Sequence, residues 1–232
     1  MIRIFVTDSL KKSLLLPLNE RTQHYLFHVM RCNENDQILC FNGRDGEWLC
    51  ILKHPSKKQS FLEVQKQLRE QDAPAFCALC PALIKKDNMD LVLQKATELG
   101  VTDIYPLVTD HTAHAHFNKS HAQLVVQEAA EQCERLTLPT IHDPLSLNNT
   151  LQKLPKNCGR YALVERQNET QKFDQYDSVA FFVGPEGGWS DKEKAFFKKN
   201  NFNTLSFDVG ILRAETACIA ILSCWHLGRT LY

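Results

Sequence analysis

The sequence has no surplus of charge of either sign: 27 lysines and arginines stand against 27 aspartates and glutamates in 232 residues. Proteins that coat nucleic acid are basic throughout. Neutrality excludes that class and leaves room for a local basic patch and a selective RNA partner. Long apolar runs are missing as well. None approaches the ~18 residues of a membrane-spanning helix, and Met1-Ile2-Arg3-Ile4-Phe5 lacks the pattern of a secretory signal. The expectation is a soluble, cytoplasmic protein with no membrane partner. No internal repeat or low-complexity segment stands out. Hydrophobic content of 44% and charged content of 23% suit a chain that buries a sizeable core as one large or two modest domains.

Cysteine is present in a pattern that excludes a disulfide scaffold. The nine residues are odd in number and scattered, which suits reduced thiols. Cys77-Ala78-Leu79-Cys80 lies in AFCALCPALI, which reads as a strand. Strand neighbours three apart face opposite sides, which argues against a metal or redox pair. Cys40 and Cys50 flank a hairpin, FNGRDGEW, and read best as small apolar fillers. His111, His114, His116 and His121 form a tempting run, but no cysteine or carboxylate spacing completes a metal site. They read as a solvated or RNA-facing loop, and no metal is expected.

Two patterns of secondary structure follow one another. Up to about Arg69 there are short strands, IRIFV, DQILCF, EWLCIL and FLEVQKQL, separated by turn signals such as Asn42-Gly43 and Asp45-Gly46. A short helix is expected over Asn19–Met30, where Leu26, Phe27 and Met30 share a face. Together these elements predict a small β-barrel, residues 1–72, ending in a linker near Gln71–Pro74. From residue 73 to 232 strands and helices alternate. Helix DNMDLVLQKATELG, capped by Asp87 and ended by Gly100, is followed by strand DIYPLV and helix KSHAQLVVQEAAEQCERL. A turn-rich segment then precedes strands RYALVE and SVAFFV, helix SDKEKAFFKKN, strand TLSFD and helix ETACIAILSCWHL. Such alternation implies an open α/β sheet covered on both faces, with ligands at the carboxyl ends of strands.

The loops after SVAFFV and TLSFD are therefore the informative ones. Gly184-Pro185-Glu186-Gly187-Gly188-Trp189 does not fit a dinucleotide fingerprint, because Pro185 offers no amide and Glu186 repels phosphate. The helix begins later, at an S-x-x-E capping box, Ser190 to Glu193, which uses the free amides itself. No Gly-Lys-Ser/Thr follows, so a Walker-type loop fails too. Glycines admit close backbone approach, and a nearby carboxylate tolerates a cationic ligand. A sulfonium cofactor such as S-adenosylmethionine meets that description; a plain tight turn is the other reading. After TLSFD, Arg213 and Glu215 open a helix that is apolar nearly all round, as expected for burial on more than one side. Arg213 needs an anionic partner, and Glu215 is one candidate.

The strings QKATELGV (94–101), EAAEQCER (128–135), GPEGGWSDKE (184–193) and ILRAETA (211–217) resemble the RsmE family of ribosomal RNA methyltransferases, within the SPOUT superfamily. Arg3 in RIFV and Arg31 in HVMRC resemble that family's PUA-like barrel. The resemblance spans nearly the whole chain. It implies an α/β parallel-sheet domain threaded into a trefoil knot, preceded by the small barrel. It also implies S-adenosylmethionine as cofactor, a homodimer packed through the knot region, and 16S ribosomal RNA or the small ribosomal subunit as partner. The product would be N3-methyluridine.

Site roles follow from the same resemblance. Phe207, Asp208, Ile211, Leu212 and Thr216 would surround the cofactor, with Gly184, Glu186, Gly187 and Gly188 bordering its methionine end. Arg213 and Glu215 are the candidate catalytic residues. Arg213 would stabilise charge on the uracil carbonyls or fix a phosphate. For the N3 proton, Glu186, Glu215 and water are open. Arg3, Arg31 and Arg135 are the candidate RNA contacts, with phosphates positioning the substrate. The chain departs from the family at Phe207-Asp208, where Leu-Gly is usual, and at Asp110-His111-Thr112, in place of an acidic-Arg-Ser cluster. Two other readings stand beside this one. One is a dinucleotide-binding oxidoreductase, since Asp208 at a strand end mimics a ribose-binding acid. The other is an RNA-binding relative without catalysis.

Overall fold

A computed structural model describes residues 1–56, 59–113, 116–165, 177–207 and 210–230. The chain forms two compact units: Met1–Ala73 with Ala130–Leu138, and Pro74–Ala129 with Pro139–Tyr232. The change of unit after Ala73 falls in the expected linker. The nine residues from Ala130 that rejoin the first unit are not foreseen by any division of the chain into two consecutive stretches.

In the first unit, β1 (Ile2–Phe5), β2 (Leu15–Pro17), β3 (Gln37–Phe41), β4 (Glu47–Ser56) and β5 (Gln59–Arg69) make one sheet in the order β1-β3-β4-β5-β2. β1 runs parallel to β3 and the other pairings are antiparallel. Ile4, Ile38, Cys40, Cys50, Leu52, Leu62 and Val64 fill the core beneath it. Cys40 and Cys50 are free and fully buried, so the filler reading is right. A hydrogen bond to Cys50 that favours the neutral thiol, and then burial, push the Cys40 thiol well up. The expected helix divides in two. α1 (Glu20–His24) is capped by Asn19, whose side chain accepts from Thr22 N, and a π-helical turn continues over Tyr25–Val29.

The second unit holds a six-stranded, all-parallel sheet. Its strands are β6 (Cys77–Pro81), β7 (Asp103–Ile104), β8 (Thr140–Ile141), β9 (Gly159–Leu163), β10 (Val179–Val183) and β11 (Asn203–Leu205), in the order β11-β9-β10-β6-β7-β8. The helices are α2 (Lys86–Glu98), α3 (Lys119–Gln132), α4 (Leu147–Lys153), α5 (Asp191–Lys199) and α6 (Ala214–Thr230). The continuous apolar run of β10 reflects its burial on both sides. Val179, Phe181 and Val183 join a cluster with Val92 of α2 and Leu222 of α6, while Ala180 and Phe182 join one with Phe197 of α5 and Leu147 of α4. Cys77 and Cys80 divide between the same two clusters, as the strand reading of CxxC requires.

Local differences have local causes. Lys85, not Asp87, occupies the N-cap of α2 and makes no side-chain cap bond; Asp87 lies in the first turn, where its charge suits the helix dipole. Strand DIYPLV is a ladder of two residues prolonged by isolated bridges from Leu107 to Ala82 and Leu145. Pro106 interrupts it by offering no amide. The turn-rich segment contains β8 and α4, too short to show a period.

Arg3 organises one side of the first unit. It is 6% exposed, lies with Cζ 3.8 Å above the Phe41 ring, and pairs with Glu47, itself 5% exposed. Its Nη1 donates to Ala130 O at 2.6 Å and its Nη2 to Arg135 O. Phe5 N donates to Glu131 Oε1 at 2.9 Å, and Phe5, Phe41, Ala130 and Leu136 pack together. The Arg3 side chain is thus turned inward and fully engaged, which corrects its assignment as an RNA contact. A buried pair broken on one side leaves a charge without compensation. Arg3→Ala should therefore cost about 3–5 kcal/mol, seen as a lower urea midpoint at unchanged slope, and a midpoint within experimental error of wild type would refute the structural role.

Candidate functional site

Three adjacent strands end side by side. Leu163 of β9 is in register with Val183 of β10 on one side and Leu205 of β11 on the other. The chain leaves all three at one edge of the sheet, as Val164-Glu165, Gly184-Pro185 and Ser206-Phe207. These segments and the start of α6 enclose a cavity of about 930 Å³. It lies at the carboxyl ends of parallel strands, where open α/β sheets bind ligands.

The glycine loop is fastened at its far end. Trp189 is buried, and its Nε1 donates to Leu163 O at 2.8 Å, so the indole ties the loop to the end of β9. A Cβ on Gly184 would lie 3.1 Å from Trp189 Cε2, and only glycine lets the ring approach this closely. Gly188 N donates to Pro185 O at 2.9 Å, closing a turn in which Gly188 has a φ of 67°. The capping box forms as read from the sequence. Ser190 Oγ accepts from Glu193 N, and Glu193 Oε2 accepts from Ser190 N at 2.8 Å. Glu193 is 7% exposed, and its other oxygen accepts from Asp110 N at 3.1 Å. Two of the amides at the start of α5 are thereby satisfied from within, and the carboxylates of Asp110, Asp191 and Glu193 stand there, a poor setting for a polyphosphate.

The cavity brings together Gly184, Glu186, Gly187, Gly188, Phe207, Ile211, Leu212 and Arg213. Ile211 is 64% exposed. Arg213 is exposed, and its guanidinium makes no hydrogen bond or ion pair with the described residues. Glu215 and Thr216 do not line the cavity. Thr216 faces away into solvent. Glu215 is 7% exposed, and its Oε2 has no partner among the described residues. Burial, and then the nearby Glu215 carboxylate, push the Cys218 thiol up. Asp208 lies outside the described residues. Glu165, Trp189 and Lys194 also line the cavity and are missed by the motif reading. Glu165 was within reach of the strand-end rule, since RYALVE ends beside SVAFFV once the register is known.

The remaining candidates separate. In the first unit Arg31 is exposed, with a φ of 56°, and Arg135 is half-buried with Nη2 3.3 Å from Thr137 Oγ1. In the second, His121 pairs with Asp90 at 2.8 Å, and His111 contacts Gly187 O and Gly188 O. His114 lies outside the described residues, and among those described no group of three or more side chains is arranged to hold a metal. No described helix is long and apolar enough to cross a membrane.

Comparison with known proteins places the chain among RNA-modifying enzymes. Residues 71–226 match the RNA methyltransferase domain family, and residues 18–65 match the RNA methyltransferase PUA domain. Ribosomal RNA small subunit methyltransferase E of Rickettsia conorii is 31% identical over 228 residues, 95% of this chain and 93% of the relative. The Bacillus subtilis protein of the same name is 29% identical, over 86% of this chain and 85% of its own. Among solved structures, ribosomal RNA small subunit methyltransferase E from Neisseria gonorrhoeae bound to S-adenosyl methionine superimposes with a TM-score of 0.89 at 25% identity, covering 100% of this chain and 98% of the other. A Legionella pneumophila protein in complex with the same cofactor gives 0.85 at 27% identity, covering 98% and 97%.

The Ser190 hydroxyl serves two partners, accepting from Glu193 N and donating to Asp110 Oδ2 at 2.6 Å. Removing a serine cap costs about 1 kcal/mol by itself. Ser190→Ala should lower stability by about 1–2 kcal/mol in chemical denaturation, and Ser190→Thr should recover most of it; no loss for Ser190→Ala would dismiss the network.

Proposed function

The chain belongs to the ribosomal RNA small subunit methyltransferase E family of RNA methyltransferases, and we propose that it uses S-adenosylmethionine to methylate N3 of one uridine in 16S ribosomal RNA. The observation that carries this reading is the cavity at the joined ends of β9, β10 and β11, set in a chain that matches its relative over 95% of its length. Glycine backbone, the carboxylates of Glu165 and Glu186 and the cations of Lys194 and Arg213 line it, two charges of each sign that suit a donor bearing both a sulfonium and a carboxylate. The cofactor supplies an electrophilic methyl group on a positively charged sulfur.

What remains for the protein is positioning and charge. Uridine N3 must lose its proton to attack, and negative charge then spreads onto the two neighbouring carbonyl oxygens. Arg213, exposed on the cavity wall, is suited to stabilise that charge. Glu186 lines the same cavity and Glu215 does not, so Glu186 is the better placed carboxylate to take the proton, directly or through water. Glu215 then acts from its buried place in the first turn of α6. Phe207, Ile211 and Leu212 also line the cavity and suit the adenine end of the donor. N3 lies on the Watson–Crick edge, so the target base is unpaired or turned out of its stack. In the first unit Arg31 and Arg135 stay as RNA contacts, residues 1–72 acting as the RNA-binding domain.

The reading includes a trefoil knot in the catalytic domain, which spans 73–232, and a homodimer packed through it. In support of the dimer, α6 is apolar on most sides, while Ile219 and Ala220 are only half-buried in the single chain. A cytoplasmic site of action follows from the substrate, the small ribosomal subunit or its RNA.

N3 methylation blocks base pairing, so reverse transcriptase stops at the modified uridine. The stop should be present in 16S RNA from normal cells, vanish on deletion of the gene, and return with the wild-type chain. Every stop persisting after deletion would sink the proposed substrate. Arg213→Ala should reduce methyl transfer in vitro by on the order of 10²-fold or more while the melting temperature stays put, since the side chain makes no bond with the described residues. Wild-type rates would remove Arg213 from the reaction.

A further inference from the structure

The capping box and Trp189 hold the far end of the glycine loop, but its middle is held by something else. Between Pro185 and Gly188 the loop has one internal backbone bond, Gly188 N to Pro185 O. The other restraint comes from the segment after β7. There Thr109 N donates to Thr112 Oγ1 at 2.9 Å, Thr112 N donates to Thr109 O at 3.1 Å, and the two hydroxyls lie 2.8 Å apart. This preformed turn presents Asp110 and His111 to the loop. Asp110 takes the Ser190 hydroxyl and gives its amide to Glu193. His111 Nδ1 lies 3.0 Å from Gly187 O and 3.1 Å from Gly188 O.

Carbonyl oxygens can only accept, so Nδ1 must carry the hydrogen, shared between both. A Cβ on Gly187 would stand 3.1 Å from His111 Cβ, so the second glycine of the loop is what lets the imidazole come this close. On the methyltransferase reading above, we infer that His111 is a positioning residue for the methyl donor's cavity: its Nδ1–H fixes the Gly187 and Gly188 carbonyls and so holds the loop that carries Glu186 in its receiving shape. Two consecutive glycines left without that donor sample many backbone conformations. A cavity formed only part of the time binds its ligand more weakly in proportion.

The nitrogen at fault is identified by shape. An asparagine amide can stand near the place of Nδ1, whereas a glutamine amide reaches the place of Nε2. In the full-length protein, with S-adenosylmethionine binding followed by calorimetry, His111→Gln should weaken affinity on the order of 10-fold, the worth of one hydrogen bond. His111→Asn should stay within about 3-fold of wild type. Gly187→Ala, which keeps the imidazole but presses on its Cβ, should weaken binding as His111→Gln does. In methyl transfer, His111→Gln should raise KM for the donor while kcat at saturation holds, a split that general loss of structure would not produce. His111 is exposed, and melting temperatures should confirm that each variant is folded. If wild type binds the donor and His111→Gln binds it equally well, the clamp is refuted and the functional reading stands. The clamp is likewise refuted if His111→Asn is as weak as His111→Gln. A wild-type chain that takes up no donor overturns the functional reading, and this inference with it.

Discussion

The register that sets Leu163 between Val183 and Leu205 is the constraint on which the site depends. Three parallel strands cut to one level deliver three loops to one edge. A slip by a single residue would turn every side chain of β10 to the wrong face and carry the loops apart. The register is secured by burial on both sides of the sheet. Phe181 and Phe182 point to opposite clusters and are each fully enclosed, at roughly 1.5–3 kcal/mol of transfer free energy apiece.

Within that frame the glycine loop gains shape from other parts of the chain more than from itself. Its permissive backbone is fastened by an indole to the end of β9 and by the Asp110–His111 turn to the far side. The glycines serve here as sites of close approach, with Trp189 against Gly184 and His111 against Gly187. The capping box disfavours an anion at α5 by bonding two of its first amides and setting the Glu193 carboxylate beside them. One local device thus sets both where the helix starts and which ligand chemistry the loop can accept.

Two of the strings that carry the family resemblance, RIFV and EAAEQCER, turn out to serve each other. Arg3 reaches the carbonyls of Ala130 and Arg135, and Glu131 takes the amide of Phe5. Arginine is suited to this because its planar fork can satisfy a carboxylate and two carbonyls at once while stacking on Phe41. A basic residue in a motif reads from the sequence as a contact for RNA. Its actual surroundings are a buried carboxylate and the end of a helix, partners 44 and 127 or more residues away in sequence.

The elements with strong periods are legible in the sequence with ends off by one to four residues: β1, β3, β4 and β5 and the helix over Lys86–Glu98, along with the capping box at Ser190 and the opposite facing of Cys77 and Cys80. So is the chemistry excluded from the glycine loop, because proline without an amide and glutamate with its charge act at the scale of a few residues. What tertiary structure alone decided is which distant groups meet. That Arg3 points inward, that Glu215 is buried in α6 and off the cavity wall, that Glu165 shares the cavity, and that His111 grips the loop all depend on strand order and register. Those are fixed by long-range packing, and a side chain's partners across 76 or more residues leave no period or spacing by which to recognise them.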